Sequence, residues 1–221
     1  MEIIVAKNIL NANDQIAVRI QTQLEEANVY GINLMGSPGS GKTTLIESLN
    51  PHLQKELDFG VIEGDLATSR DAERMEKLGI SSVQINTGGG CHLDANMVDS
   101  SLQNFDIRNI DLLFIDNVGN LVCTASFKLG EHLRVVVLSV TEGDDKVGKY
   151  PYMFQKADAL IINKMDLIEY TDFDLARIKS DISIISPKME ILLVSAKTGE
   201  GIEALAKWLV EKRNTYLTSQ K

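Results

Sequence analysis

Gly36-Ser37-Pro38-Gly39-Ser40-Gly41-Lys42-Thr43 is the stretch that decides how the rest of the chain is read. It fits G-x-x-x-x-G-K-[ST] in full. Glycines at these places let the backbone wrap closely around phosphate oxygens, with N–H groups and a helix N-terminus facing the charge. An apolar, β-rich run, Tyr30-Gly31-Ile32-Asn33-Leu34-Met35, precedes it, and Thr43 to Leu53 carries a helical pattern after it. A strand before and a helix after are the context that separates a phosphate-binding loop from an ordinary Gly-rich turn. Lys42 is expected to reach β- and γ-phosphates and the Thr43 hydroxyl to ligate Mg²⁺, with Ser37, Pro38, Ser40 and Thr44 completing the loop.

Outward from this loop, apolar runs alternate with helical patterns. Phe59–Ile62, Ser82–Ile85, Leu112–Ile115, Val135–Leu138, Ala159–Ile162 and Ile191–Val194 read as further strands. Asp71–Leu78, His92–Asn104 and Ile202–Tyr216 read as helices, and residues 9–27 as a leading amphipathic helix. This alternation predicts an α/β fold of the P-loop NTPase type, its mainly parallel sheet covered by helices on both faces. Residues 1–28 are expected to form an N-terminal helical extension and 29–221 the nucleotide-binding domain.

The composition sets limits on partners. The chain has 221 residues, 44% hydrophobic and 24% charged, the balance of a globular protein. With 22 basic against 31 acidic residues the formal charge is −9, which repels a phosphate backbone and argues against nucleic acid. No run reaches the roughly 18 apolar residues of a membrane span, and the N-terminus lacks a basic n-region. No membrane partner and a cytoplasmic location are the expectation.

Three further motifs refine the nucleotide. Ile115-Asp116-Asn117-Val118-Gly119 ends a strand with an acid, and Gly119 lies three residues later. The spacing suits an acid that reaches Mg²⁺ and a Gly whose N–H senses a γ-phosphate. Asn163-Lys164-Met165-Asp166 follows the strand Ala159–Ile162 and resembles the N-K-x-D signature of the GTPase superfamily. The resemblance implies that Asp166 accepts from guanine N1–H and the exocyclic amine, a donor pair that adenine lacks. Ser195-Ala196-Lys197 resembles the superfamily's loop against the guanine oxygen. GTP and GDP are therefore the expected ligands. Asp65 and Asp71 are candidates for a segment reaching the metal and γ-phosphate, although either can instead cap the helix from Asp71. No Gln stands where it would position an attacking water, so intrinsic hydrolysis is expected to be slow.

The two cysteines, Cys91 and Cys123, carry a second signal. Thr87-Gly88-Gly89-Gly90-Cys91-His92 sets thiol and imidazole side by side in a Gly-rich loop, and Cys123 sits just past Asp116–Gly119. Thiolate and imidazole are ligands preferred by Zn²⁺ and Ni²⁺. Spacing alone leaves two readings open: a metal site of Cys91, His92 and Cys123, or two buried small side chains beside a helix-capping His. His52 and His132 receive no role.

With these motifs in place, the chain from about Val29 onward resembles the hydrogenase nickel-incorporation GTPases, the HypB type of maturation factor. Gly36–Thr43, Cys91-His92-Leu93-Asp94-Ala95, Asp116–Cys123, Ser139–Lys146, Lys149-Tyr150-Pro151 and Asn163–Asp166 carry the resemblance. It implies that Cys91, His92 and Cys123 bind nickel or zinc at a nucleotide-dependent homodimer interface. It implies also that GTP hydrolysis gates nickel transfer into the large subunit of a [NiFe] hydrogenase, with a small zinc-containing maturation protein as partner. Urease accessory GTPases, the alternative, carry Cys-Pro-His at this loop, whereas Cys91 is followed directly by His92. A small-molecule kinase has no need of N-K-x-D, and metal storage is poorly served by three ligands. Three departures stand out. Residues 1–28 hold no Cys- or His-rich tract, Asn96 stands where some members place a further His, and Asp116 replaces a frequent Glu.

Overall fold

The computed structural model describes residues 2–65 and 70–220, with side chains over 10–65 and 74–220. Among these residues a seven-stranded sheet runs in the order β3-β2-β4-β1-β5-β6-β7. The strands are β1 (Tyr30–Gly36), β2 (Phe59–Asp65), β3 (Ser81–Asn86), β4 (Leu112–Asp116), β5 (Leu133–Ser139), β6 (Ala159–Asn163) and β7 (Glu190–Leu193). Every neighbouring pair is parallel. The helices are α1 (Glu2–Glu26), α2 (Lys42–Leu53), α3 (Arg70–Lys77), α4 (Ala95–Leu102), α5 (Lys146–Lys149), α6 (Pro151–Gln155), α7 (Leu175–Ile185) and α8 (Ile202–Ser219).

Period-two alternation sends each strand's apolar residues to both faces, and helices cover each face. Ile32, Leu34, Phe114 and Val135 pack with Leu45 and Leu49 of α2 and Leu205 and Leu209 of α8. On the opposite face, Ile62, Leu113 and Ile115 pack against Ile20 and Leu24 of α1 and Val98 and Leu102 of α4. Val136, Leu138, Leu160 and Ile162 meet Phe154 of α6 and Ile178 and Ile182 of α7. The leading helix is thus part of the packing of one sheet face.

The parallel arrangement brings the C-terminal strand ends to one edge. In register, Leu34 pairs with Asp116 and Gly36 with Val137, so the loops leaving β1, β4 and β5 are neighbours. Chain order reverses beside β1: β2 lies beyond β4 on one side, while β5 lies on the other. Open α/β sheets form their ligand crevice at such a switch point.

The structure departs from the sequence reading at several elements, one of which bears on the site. The helix expected to open at His92 starts at Ala95, because Asp94 caps it and accepts from the Met97 N–H at 2.8 Å. His92 therefore lies in a loop. Helix α7 also escaped the sequence reading; Asp174 caps it, and Ile178 and Ile182 form its buried stripe.

A nucleotide cleft joined to a thiol–imidazole cluster

The loop Gly36–Thr43 leaves β1 and feeds α2, as its spacing predicts. Gly41 has φ 93°, and a Cβ there would lie 2.5 Å from the Asn163 side-chain nitrogen, so only glycine fits. A cleft of about 370 Å³ opens over the loop, lined by Gly39, Lys42, Thr43, Asp65, Asp116 and Gly119 among others. Asp116, 6% exposed, accepts from the Thr43 hydroxyl at 2.8 Å and lies 3.9 Å from Lys42 Nζ. Hydroxyl and carboxylate oxygens are the hard donors Mg²⁺ takes, so this pair fits that ion. Gly119 lies against Pro38, where a Cβ would come within 2.8 Å. The segment after Asp116 therefore rests directly on the phosphate loop.

Asp65 lines the same cleft. The Asp71 side chain lies outside the described residues. Glu63, only 3% exposed, is a third acid in the cleft, at the C-terminal end of β2. Its signal in the sequence was an acid inside an apolar strand.

The Asn163–Asp166 and Ser195–Lys197 segments converge on the other side of the loop. Asn163 donates to the Ser40 carbonyl at 3.0 Å, and its own oxygen accepts from Lys164 N–H and Ala196 N–H. Lys164 Nζ reaches the Gly39 carbonyl at 2.7 Å. Lys164 itself sits in the left-handed region at φ 61°. Ser195 donates to Asp166 at 2.5 Å and accepts from Thr198 N–H, which fixes the carboxylate. Lys197 lies on the same loop, exposed. One side chain, Asn163, thus joins phosphate loop and base loop.

Cys91, His92 and Cys123 come together although they leave different strands. Their ligand atoms lie within 4.8 Å of one another, the one such group among the described residues. Ligands about 2.0–2.3 Å from one tetrahedral ion stand roughly 3.3–3.8 Å apart, so small side-chain movements would close this cluster onto a shared metal. Both cysteines are free thiols, and Cys91 Sγ is 3.5 Å from His92 Nδ1. The His92 ring stacks on Phe127, centroids 3.9 Å apart. Burial lowers the His92 pKa against the opposing pull of Asp94, favouring the neutral imidazole that ligates metals. The hydrogen bond with Cys91, followed by burial, pushes the Cys123 thiol up. Two thiols in contact resist double ionisation until a cation joins them.

Two asparagines connect this cluster with the cleft, and the sequence reading gave neither a role. The Asn117 side-chain oxygen accepts from Leu93 N–H at 3.1 Å and Val118 N–H at 2.9 Å. Its amide donates to Asn33 in β1. Leu93 follows His92, and Asn117 follows Asp116. Asn120 N–H donates to the Gly36 carbonyl, while its side-chain oxygen accepts from Val122 and Cys123 N–H. Each metal-loop segment is thereby one residue from a bond to the nucleotide machinery.

Residues 30–193 match the family model described as CobW/HypB/UreG, nucleotide-binding domain. The hydrogenase/urease maturation factor HypB of Helicobacter hepaticus is 45% identical over 95% of this chain and 87% of its own length. The probable hydrogenase maturation factor HypB of Methanocaldococcus jannaschii is 43% identical over 93% of each chain. The crystal structure of HypB from Helicobacter pylori in complex with nickel superposes with a TM-score of 0.90 at 42% identity. It covers 93% of this chain and 97% of that one.

Proposed function

The chain belongs to the CobW/HypB/UreG family, and on that premise we propose that it is a GTP-hydrolysing metallochaperone that delivers nickel during [NiFe] hydrogenase maturation. The observation that carries this reading is the pair of asparagines joining the Cys91–His92–Cys123 cluster to the nucleotide cleft. Residues 29–221 act as the GTPase domain and 1–28 as a helical extension packed on it. The protein works in the cytoplasm, with no nucleic-acid or membrane partner. It hands nickel to the hydrogenase large subunit with the help of a small zinc-containing maturation protein.

Lys42 and the backbone N–H groups of Gly36–Thr43 hold the phosphates, and Asp166 and the Ser195–Lys197 loop select guanine. Thr43 and Asp116 hold Mg²⁺, which neutralises charge on the β- and γ-phosphates when bound. Asp65, Asp71 and the Gly119 N–H face the γ-phosphate side. Thr43 donates to Asp116, and Lys42 Nζ lies 3.9 Å from the same carboxylate. A bound phosphate would draw Lys42 from Asp116 and leave that carboxylate to the metal. Asn117 and Asn120 lie on the same short segment, so this movement changes how Leu93 and Cys123 are held. Hydrolysis reverses it. Three ligands from one chain leave a place open, and a second copy fills it in a nucleotide- and metal-dependent homodimer. Cys91 followed directly by His92 supports the hydrogenase rather than the urease branch.

The test combines hydrolysis with metal uptake. The wild-type chain is expected to hydrolyse GTP slowly and ATP not at all, and to bind one Ni²⁺ or Zn²⁺ per site. Cys91→Ala and Cys123→Ala should remove metal binding while GDP still binds. Metal uptake indifferent to both cysteines would remove the basis for nickel delivery.

A further inference from the structure

Asparagine is a poor residue for the middle of a helix, and its amide is costly to bury unless both ends are paired. Asn13 stands in the middle of α1 and is only 6% exposed. Both of its bonds leave its own helix. Its oxygen accepts from Ala95 N–H at 2.8 Å, and its nitrogen donates to the Lys128 carbonyl at 2.9 Å. Ala95 is the first residue of α4, three positions after His92. Lys128 follows Phe127, whose ring stacks on His92 at 3.9 Å and 21°. The two arms of one side chain therefore end on the two segments whose rings meet.

We propose that Asn13 is a positioning residue for the nickel site, holding the His92 loop and the Phe127 segment at the separation that fixes the imidazole. It touches no metal and acts through Ala95 and Lys128. The inference rests on the reading that Cys91, His92 and Cys123 take nickel. Its mechanical part concerns only the His92–Phe127 stack. The stack orients the imidazole toward the thiols, as outer-shell partners orient metal-bound histidines elsewhere. The contact also gives α1 a task beyond covering the sheet: it ties the chain's first helix to its metal loop.

The test uses the full chain and two substitutions that keep the heavy-atom branching of the side chain. Asn13→Leu removes both bonds. Asn13→Asp keeps an acceptor for Ala95 N–H and loses the donor to Lys128, and it carries the test if the leucine variant folds poorly. Phe127→Leu serves as the reference for a lost stack. Three quantities are measured: the chemical shifts of the His92 ring protons, Ni²⁺ affinity followed by thiolate-to-nickel absorption, and GDP affinity. In the wild type the Phe127 ring current displaces the His92 signals from those of a free imidazole. Asn13→Leu should move them toward the Phe127→Leu values and weaken Ni²⁺ binding about tenfold, the lower end of what outer-shell losses cost. GDP affinity should be unchanged, and Asn13→Asp should fall between. Unchanged ring shifts in both Asn13 variants would overturn the proposal, as would nickel and GDP affinities falling together. If the wild type takes up no nickel while the ring shifts still respond to Asn13, the nickel reading fails and the positioning role stands.

Discussion

At the scale of single residues, the proposed choice of guanine over adenine rests on one carboxylate, Asp166. Ser195 holds it at 2.5 Å, so it meets an incoming base already oriented. Two charge-assisted bonds to guanine are worth about 3 kcal/mol together, roughly a hundredfold in affinity. Asp166→Ala should therefore lower GTP affinity about a hundredfold and leave ATP binding as weak as before, measured with fluorescent analogues of each. His132 makes a different single-residue prediction. Its Nδ1 accepts from Gly31 N–H at 2.8 Å, its ring stacks on Tyr30, and burial lowers its pKa against the pull of Glu25 and Glu131. The unfolded chain, with His near 6.5, then binds the proton more readily than the folded one. The contribution to stability is complete above that pH and is lost as pH falls from 6.5 toward the lowered folded value. Denaturation from pH 8 to 5.5 should show this decline, and His132→Gln should flatten it. An identical slope in the variant would place the titration elsewhere.

At the scale of elements, the loops matter more than the strands they leave. Helix α1 is held by Ala17, Ile20 and Leu24 against one sheet face. Ile20 is fully buried, so Ile20→Ala should destabilise the fold by about 2–5 kcal/mol in urea titration. The joint between β4's loop and the metal loop predicts something different. Asn117→Ala leaves Leu93 N–H buried without its acceptor, costing about 1–3 kcal/mol. Both ligands should still bind, but nickel affinity should lose most of its dependence on nucleotide. The central strands β1, β4, β5 and β6 were legible because each is a largely apolar run buried along its length, the pattern of strands covered on both faces. The phosphate loop was legible because its chemistry is packed into consecutive residues, and the N-K-x-D and S-A-K stretches were found for the same reason. Helix α7 was not, since its stripe rests on Ile178 and Ile182 amid polar residues. Cys91 and Cys123 could be suspected from type alone; bringing them together needs β3 and β4 in one sheet with only β2 between. Asn13 and Asn33 gave no signal, and Asn117 and Asn120 entered only as part of the stretch that carries the resemblance, with no role of their own. Single asparagines are common in turns, and only tertiary contacts distinguish these four.

The whole molecule sets a nucleotide-binding cleft at the C-terminal ends of the central strands, with the Cys91–His92–Cys123 cluster joined to it. A net charge of −9 opposes self-association, so a second copy must be drawn in by something local: a shared metal, bound nucleotide or both. The proposed coupling is reciprocal: any difference in nickel affinity between GDP and GTP forms appears equally as a difference in nucleotide affinity. The most direct test is calorimetric titration of Ni²⁺ into the protein loaded with GDP and with a non-hydrolysable GTP analogue, with mass followed by light scattering. The predicted result is a change of fivefold or more in nickel affinity, the lower range of allosteric coupling, with a rise from one chain toward two that Cys123→Ala abolishes. Equal nickel affinity and equal mass in the two nucleotide states would contradict the account.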